Sequence, residues 1–217
     1  MITTCILTFN EGKKISTCID SIKGCVDEIM VVDGFSTDNT IEIAKGKGAI
    51  VYQREMNKDF GKQRNYAIEK AKSDWIFMLD ADEICSPILA QKLKQLSQHT
   101  EYDGFSFLWK NYCNDNLVET VRKLCLFKRI GYYEDEVHEK VLGLDKIANL
   151  QNEDCFIIHN KTKDDQKKHF LVYKEIIEQN LAKSEANKDF KKMAYYEYAK
   201  KRQSEKESIW LDDYITI

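Results

Sequence analysis

Three carboxylic acids fall within four positions at the end of an apolar run: Trp75-Ile76-Phe77-Met78-Leu79 leads directly into Asp80-Ala81-Asp82-Glu83. A packed interior does not tolerate unpaired carboxylates, so these acids either lie in water or face something positive. Asp-x-Asp at the end of a buried strand can hold a hard divalent cation through oxygen, and Mg²⁺ or Mn²⁺ held by one or two carboxylates shares its shell with substrate phosphates. Such an ion would neutralise the charge in a cleft. The alternative is a helix start, since acids just before Ser86-Pro87 suit a helix dipole.

Other residues could join this chemistry. Asp33 ends Val31-Val32 and precedes Gly34. It can accept hydrogen bonds from a base or ribose, as acids do in dinucleotide folds, or be a turn residue bonding its own backbone. Arg64 falls in the first turn of a helix, where anions are welcome; the alternative is a solvated helical charge. His138-Glu139 closes Glu134-Asp135-Glu136-Val137, a stretch dense in candidate bases. His159 follows the short strand Phe156-Ile157-Ile158 and can return to the same place, or serve structure alone. His99 and His169 sit on polar helical faces and are given no function.

Elements that would position these groups alternate along the first hundred residues. Strands are expected at Ile2 to Thr8, Glu28 to Val32, Ala49 to Tyr52 and Trp75 to Leu79. Helices are expected over Glu11 to Ile22, from a Ser36-Thr37-Asp38 cap through Ala44, over Gly61 to Lys72 with Tyr66, Ala67 and Ala71 inward, and from Ser86-Pro87 to about Ser97. Uniformly apolar strands separated by helices indicate an α/β fold with a mainly parallel sheet flanked by helices. Ligands of such sheets bind outside the carboxyl ends of the strands. The segments after the first, second and fourth strands should therefore share one rim. Beyond residue 100 two longer strands, Gly104 to Tyr112 and Leu117 to Arg129, flank an Asn114-Asp115-Asn116 turn. Residues 163–206 read as two helices, striped by Phe170, Tyr173, Ile177 and Leu181 and by Met193, Tyr196 and Ala199.

With 217 residues the chain suits one sizeable domain with an appendage. A net charge of -3 gives no field for nucleic acid. Seven scattered cysteines argue against a disulfide framework and a cysteine-rich zinc site. The absence of a leader-like or membrane-spanning segment, with reduced thiols, implies a cytoplasmic protein. Asn160-Lys161-Thr162 is read as a chance sequon. Residues 161–206 carry 13 Lys/Arg against 8 Asp/Glu. This basic tail could meet the inner membrane face, or close the core, cover the acceptor side or form a homodimer; the second set is preferred.

Taken in order, "ILTFNEGKKISTCIDSI", "DEIMVVDGFSTDNTIEIAKGKGAIVYQ", "FGKQRNYAIEKAKSDWIFMLDADE" and "VHEKVLG" resemble the family 2 glycosyltransferases of GT-A fold. They are most similar to the bacterial branch that builds lipopolysaccharide core and related glycans. The resemblance implies a GT-A, Rossmann-like domain over residues 1–160 and a helical extension over 161–217. It implies a nucleotide-diphosphate sugar donor, a glycan or lipid-linked acceptor and a divalent cation, Mn²⁺ or Mg²⁺. Thr8, Phe9, Asn10 and Glu11 match a nucleotide-contacting segment; Asp33 matches the acid that reads the base, followed by Ser36, Thr37 and Asp38. Arg64 matches a donor-side polar residue. Asp80, with Ala81, lies nearer the ribose, and Asp82 is the expected metal ligand, completed by His159. Glu83 reads as no more than a helix-start acid. Glu139 is the expected base of an inverting transfer, with Asp135 and Glu136 behind it. Two departures fall in the acceptor half: Cys125-Leu126-Phe127-Lys128-Arg129 lacks the family's first arginine, and Asp135 and Glu136 replace a usual glycine. Other functions compatible with this sheet are nucleotidyl transfer, disfavoured by the single glycine after the first strand, and a silent nucleotide-sugar-binding module.

Overall fold

The computed structural model describes residues 1–212, with side chains described through residue 204. It begins β1 (Ile2–Thr8), α1 (Ile15–Ile22), β2 (Glu28–Asp33), α2 (Thr40–Gly46), β3 (Ile50–Gln53), α3 (Phe60–Lys70), β4 (Trp75–Asp80), β5 (Glu83–Cys85) and α4 (Pro87–Leu96). Next come β6 (Gly104–Cys113), β7 (Asn116–Lys128), β8 (Tyr132–Glu134), β9 (Lys140–Leu142), β10 (Ile147–Asn149) and β11 (Phe156–Lys161), then α5 (Lys163–Ala186) and α6 (Phe190–Asp212).

The continuous apolar runs are explained by a sheet covered on both faces. Along β4, Trp75, Phe77 and Leu79 join one core cluster, while Ile76 and Met78 join the other. Along β1, Ile2 and Ile6 divide from Cys5 and Leu7 in the same way. This is the period-two alternation of a strand with no solvent side. Helices α1 and α4 cover the first face with Ile15, Cys18, Ile19, Ile22, Leu89 and Leu93, all fully buried. Each such side chain is worth about 1.5–3 kcal/mol when withdrawn from water. Helix α3 covers the other face with Ala67 and Ile68.

Among the described residues the main sheet has nine strands, in the order β3-β2-β1-β4-β7-β6-β11-β5, with β10 also beside β6. The first four of these pair in parallel, whereas β4–β7, β7–β6 and β11–β5 are antiparallel. Thr8 aligns with Asp33 and Leu7 with Asp80, so the carboxyl ends of β1, β2 and β4 share one rim, as expected. The chain then does something its apolar pattern does not signal. It leaves β4 at Asp80, turns at Ala81-Asp82, and enters β5 at the far edge of the same sheet, against β11. The Asp-Ala-Asp segment thus spans a curl in the sheet.

The helix starts also differ from expectation. α1 begins at Ile15, because the Lys14 and Ile15 amides both donate to the Glu11 carbonyl and close a turn first. α2 begins at Thr40, because Ser36 and Thr37 are drawn into contacts with Asp33 and Asn10. The Asp59 carboxylate caps α3, accepting from the Lys62 amide at 2.8 Å.

A second compact unit comprises, among the described residues, 136–138 and 163–212. In it α5 and α6 pack together, burying Ile176, Ile177, Tyr196 and Ala199. Glu136 accepts from Lys192 Nζ at 3.1 Å and from the Tyr196 hydroxyl. No described helix is long and apolar enough to cross a membrane.

Helix α3 also fixes β8. Asn65 Nδ2 donates to the Tyr133 carbonyl at 2.8 Å, and the Tyr133 amide donates to Asn65 Oδ1 at 2.7 Å. One turn earlier, a Cβ on Gly61 would lie 2.3 Å from the Asp135 carbonyl oxygen. Gly61→Ala is therefore expected to force the 135–139 segment away and to cost about 1–3 kcal/mol, the scale of overpacking. Urea denaturation measures this; an unchanged midpoint would mean the segment yields freely.

Candidate active site

The donor-side loops are tied to each other before any ligand is considered. Asn10, in the left-handed region at φ 55°, donates its amide to Ser36 Oγ at 2.7 Å. Its Oδ1 accepts from the Thr37 amide at 2.8 Å. The Glu11 amide donates to Thr40 Oγ1, and the Gly34 amide to the Thr8 carbonyl, both at 2.9 Å. Asp33 is fully buried, and both its oxygens accept from Ser36, from the amide at 2.8 Å and the hydroxyl at 2.5 Å. Of the two sequence readings of Asp33, this geometry displays the turn. Phe9 and Phe35 remain half exposed beside this frame, and Thr8 Oγ1 is buried with no hydrogen-bond partner among the described residues.

Arg64 is not a solvated helical charge. It is buried on α3 and bridges two carboxylates. Nη2 donates to Asp80 Oδ2 at 3.2 Å, and Nη1 lies 2.9 Å from Oδ1 as an ion pair without hydrogen-bond geometry. Nε reaches Glu139 Oε1 at 3.0 Å. The Tyr133 ring lies under the guanidinium carbon at 5.4 Å. Burial alone would lower the Arg64 pKa, but Asp80 and Glu139 push it well up. Burial would likewise raise the Asp80 carboxyl, yet Arg64 and Lys123 hold it well below the carboxylate range, against a smaller opposing effect of Asp82. Glu139 Oε2 makes no hydrogen bond among the described residues.

Lys123 and Trp109 escaped the sequence reading, and Glu83 was read there only as one of three rim acids or a helix-start acid. Glu83 is not a helix-start acid: it opens β5 and is 1% exposed. Its Oε1 accepts from Trp109 Nε1 at 2.6 Å and from Lys123, and its Oε2 accepts from the Asp80 amide at 2.9 Å. Lys123 also lies 3.4 Å from Asp80, so one ammonium serves both acids. Burial would lower the lysine pKa, and Glu83 and Asp80 raise it. A lysine in a strand with no motif around it carries no signal until β7 is known to pass between the two ends of the acidic segment.

The second motif acid points elsewhere. Asp82 Oδ2 lies 3.3 Å from His159 Nε2 and 3.3 Å from Lys161 Nζ. Burial would raise the Asp82 carboxyl, but the His159 hydrogen bond and the Lys161 charge hold it well below the usual range. His159 is stacked on Trp109, with ring centroids 4.6 Å apart, and Nδ1 faces Asn111 Oδ1 at 2.9 Å. A donor set of one imidazole and one carboxylate suits Mn²⁺ or Mg²⁺ with substrate oxygens completing the shell. The Asn111 contact turns Nε2 toward Asp82, the outer-shell arrangement typical of a metal-binding histidine. Among the described residues no group of three or more His, Cys, Asp or Glu side chains could hold an ion by itself. The residues fit a cation that depends on its ligand for the rest of its shell.

The remaining candidate bases separate. Glu136 is engaged by Lys192 and Tyr196 in the second unit, whereas Asp135 and Glu139 belong to the first. Asp135 takes φ 76° and His138 φ 53°, left-handed positions that shape the turn between β8 and β9.

The Lys123–Glu83 pair is expected to be costly to break and cheaper to remove. Lys123→Met should destabilise by about 3–5 kcal/mol by leaving a buried carboxylate unpaired. Adding Glu83→Gln should recover much of this in a double-mutant cycle followed by urea denaturation; additive losses would show the two are uncoupled.

Residues 3–162, covering all of the sheet but Ile2 and every site residue described above, match the profile of glycosyl transferase family 2. The SPbeta prophage-derived glycosyltransferase SunS of Bacillus subtilis strain 168 is 31% identical over 148 residues, covering 65% of this chain and 35% of SunS. An uncharacterized glycosyltransferase of Rickettsia prowazekii strain Madrid E is 31% identical over 151 residues, covering 70% of this chain and 46% of that protein. The chain thus spans less than half the length of these curated relatives. Among solved structures, S. aureus TarS 1-349 in complex with UDP-GlcNAc aligns with a TM-score of 0.60 at 18% identity, over 83% of this chain and 66% of that one, a likeness of fold. By a match that spans well over half its length, the chain belongs to glycosyl transferase family 2.

Proposed function

We propose that the chain transfers a sugar from a nucleoside-diphosphate sugar to an acceptor hydroxyl, with inversion and with Mn²⁺ or Mg²⁺, in assembly of a lipopolysaccharide-type surface glycan. The observation that carries this reading is the bridge made by Arg64 between Asp80 and Glu139, with Asp82 and His159 facing each other across the Asp-Ala-Asp turn. Family membership favours glycosyl transfer over nucleotidyl transfer. The motif resemblance supports the nucleotide-sugar donor and the glycan acceptor.

The roles follow from position. Thr8, Phe9, Asn10, Glu11 and Ser36 form the nucleotide side, with Asp33 setting the loop that carries Ser36. Asp80 and Ala81 lie next to them, as Asp80 aligns with Leu7 and the Ala81 amide donates to the Leu7 carbonyl at 3.1 Å. Asp82 and His159 would hold the cation, which supplies Lewis-acid neutralisation of the departing diphosphate. Arg64 anchors Glu139 through Oε1 and leaves Oε2 to accept the acceptor's proton. The acceptor oxygen bonds to the anomeric carbon as the bond to the diphosphate breaks, and the released proton ends on Glu139.

Glu139→Gln keeps an oxygen for Arg64 but cannot take the proton. Its turnover is expected to fall about 10²–10⁴-fold, the usual worth of general base catalysis, with nucleotide affinity retained. Turnover near wild type would remove Glu139 from the role. Asp82→Asn is expected to abolish the Mn²⁺-dependent part of donor affinity; calorimetry showing the same Mn²⁺ dependence as wild type would sink the metal assignment. A panel of nucleotide sugars screened for metal-dependent hydrolysis identifies the donor.

A further inference from the structure

Asp82 is shared by one more group than a metal ligand needs. Lys161 follows His159 by two positions on β11, so both side chains leave the same face of the strand. Both reach the same oxygen, Asp82 Oδ2, at 3.3 Å. The Lys161 and Asp82 side chains are 11% and 10% exposed. An ammonium this far from water needs an anion, and Asp82 is its one ion-pair partner among the described residues. Lys123 is placed differently, since Glu83 and Asp80 both hold it.

A dication taken up by Asp82 and His159 would lie within contact range of the Lys161 charge. Like charges so close repel by several times thermal energy outside bulk water, so the ion weakens the ammonium's hold on that carboxylate and favours its displacement. Once displaced, Lys161 needs another anion, and the one that accompanies the cation is the donor's diphosphate. We infer that Lys161 is an internal counter-cation of Asp82: it holds the carboxylate before the metal ion binds and moves to the donor diphosphate when the ion arrives. This rests on the assignment of Asp82 and His159 as cation ligands. It makes the lysine a competitor of the free metal ion and a ligand of the diphosphate, two effects of opposite sign.

Lys161→Met removes the charge and keeps the stem. Manganese EPR on the full chain at millimolar MnCl₂, where an ion held by two side chains and water still binds, reads the first effect, and calorimetry of inorganic pyrophosphate in saturating Mn²⁺ reads the second. Mn²⁺ is expected to bind roughly tenfold tighter to Lys161→Met, and pyrophosphate roughly tenfold weaker, on the scale of one lost charge contact in a partly buried site. Lys161→Arg is expected to stay near wild type in both. A damaged fold would not tighten Mn²⁺ binding, so the gain separates the proposal from a structural role. Failure of Lys161→Met to tighten Mn²⁺, or unchanged pyrophosphate binding, overturns the inference. Asp82→Asn run alongside tests the parent reading: Mn²⁺ binding equal to wild type there would remove the metal site itself, whatever Lys161 does.

Discussion

Charge neutralisation in a dry rim is the constraint on which the site depends. Asp80, Asp82, Glu83 and Glu139 crowd the ends of strands whose other residues are apolar, and a carboxylate withdrawn from water must find a positive partner. Arg64 serves Asp80 and Glu139, Lys123 serves Asp80 and Glu83, and His159 with Lys161 serves Asp82. The three sets of partners come from α3, β7 and β11, so folding and assembly of the site are the same event. The network is also graded. Glu83 is fully committed to structure, while Glu139 keeps an oxygen and Asp82 holds partners that a ligand could exchange.

The curl of the sheet makes this grading possible. Asp80 ends one strand and Glu83 begins another at the opposite edge, so residues only three apart are held by different neighbours. Ala81, buried at the turn, lets the two motif aspartates face apart. Asp80 belongs with the residues of α3 and β7, and Asp82 with those of β11. A flat parallel sheet would have presented both acids to one environment.

Much of this was legible in the sequence, and the reasons differ by residue. The alternation of β1 and β4 and the stripe of α1 are local, so periodicity found them. Asp33, Asp80, Asp82, Arg64 and His159 were singled out because the sequence placed them near strand ends or a helix start, although β11 runs on through His159 to Lys161. Glu83 was misread, and Lys123, Trp109, Asn111 and Lys161 were not placed. Their partners lie 26 to 79 residues away and depend on which antiparallel strand adjoins which. A three-residue strand such as β5 has no period to read. The start of α2 was missed for a related reason: Ser36 looks like a cap, but Asp33 and Asn10 claim it from outside the helix.

The clasp between Asn65 and Tyr133 bears on how the Glu139 carboxylate is placed. Arg64 and Asn65 are adjacent on one helix, yet one orients Glu139 and the other fixes the backbone that leads to it. Both ends of the 135–139 loop are thereby referenced to α3 rather than to each other. A loop mounted this way presents its terminal carboxylate where the helix sets it rather than where its own turn residues would. The place of the Glu139 carboxylate is therefore a property of the helix, handed to the loop rather than made by it.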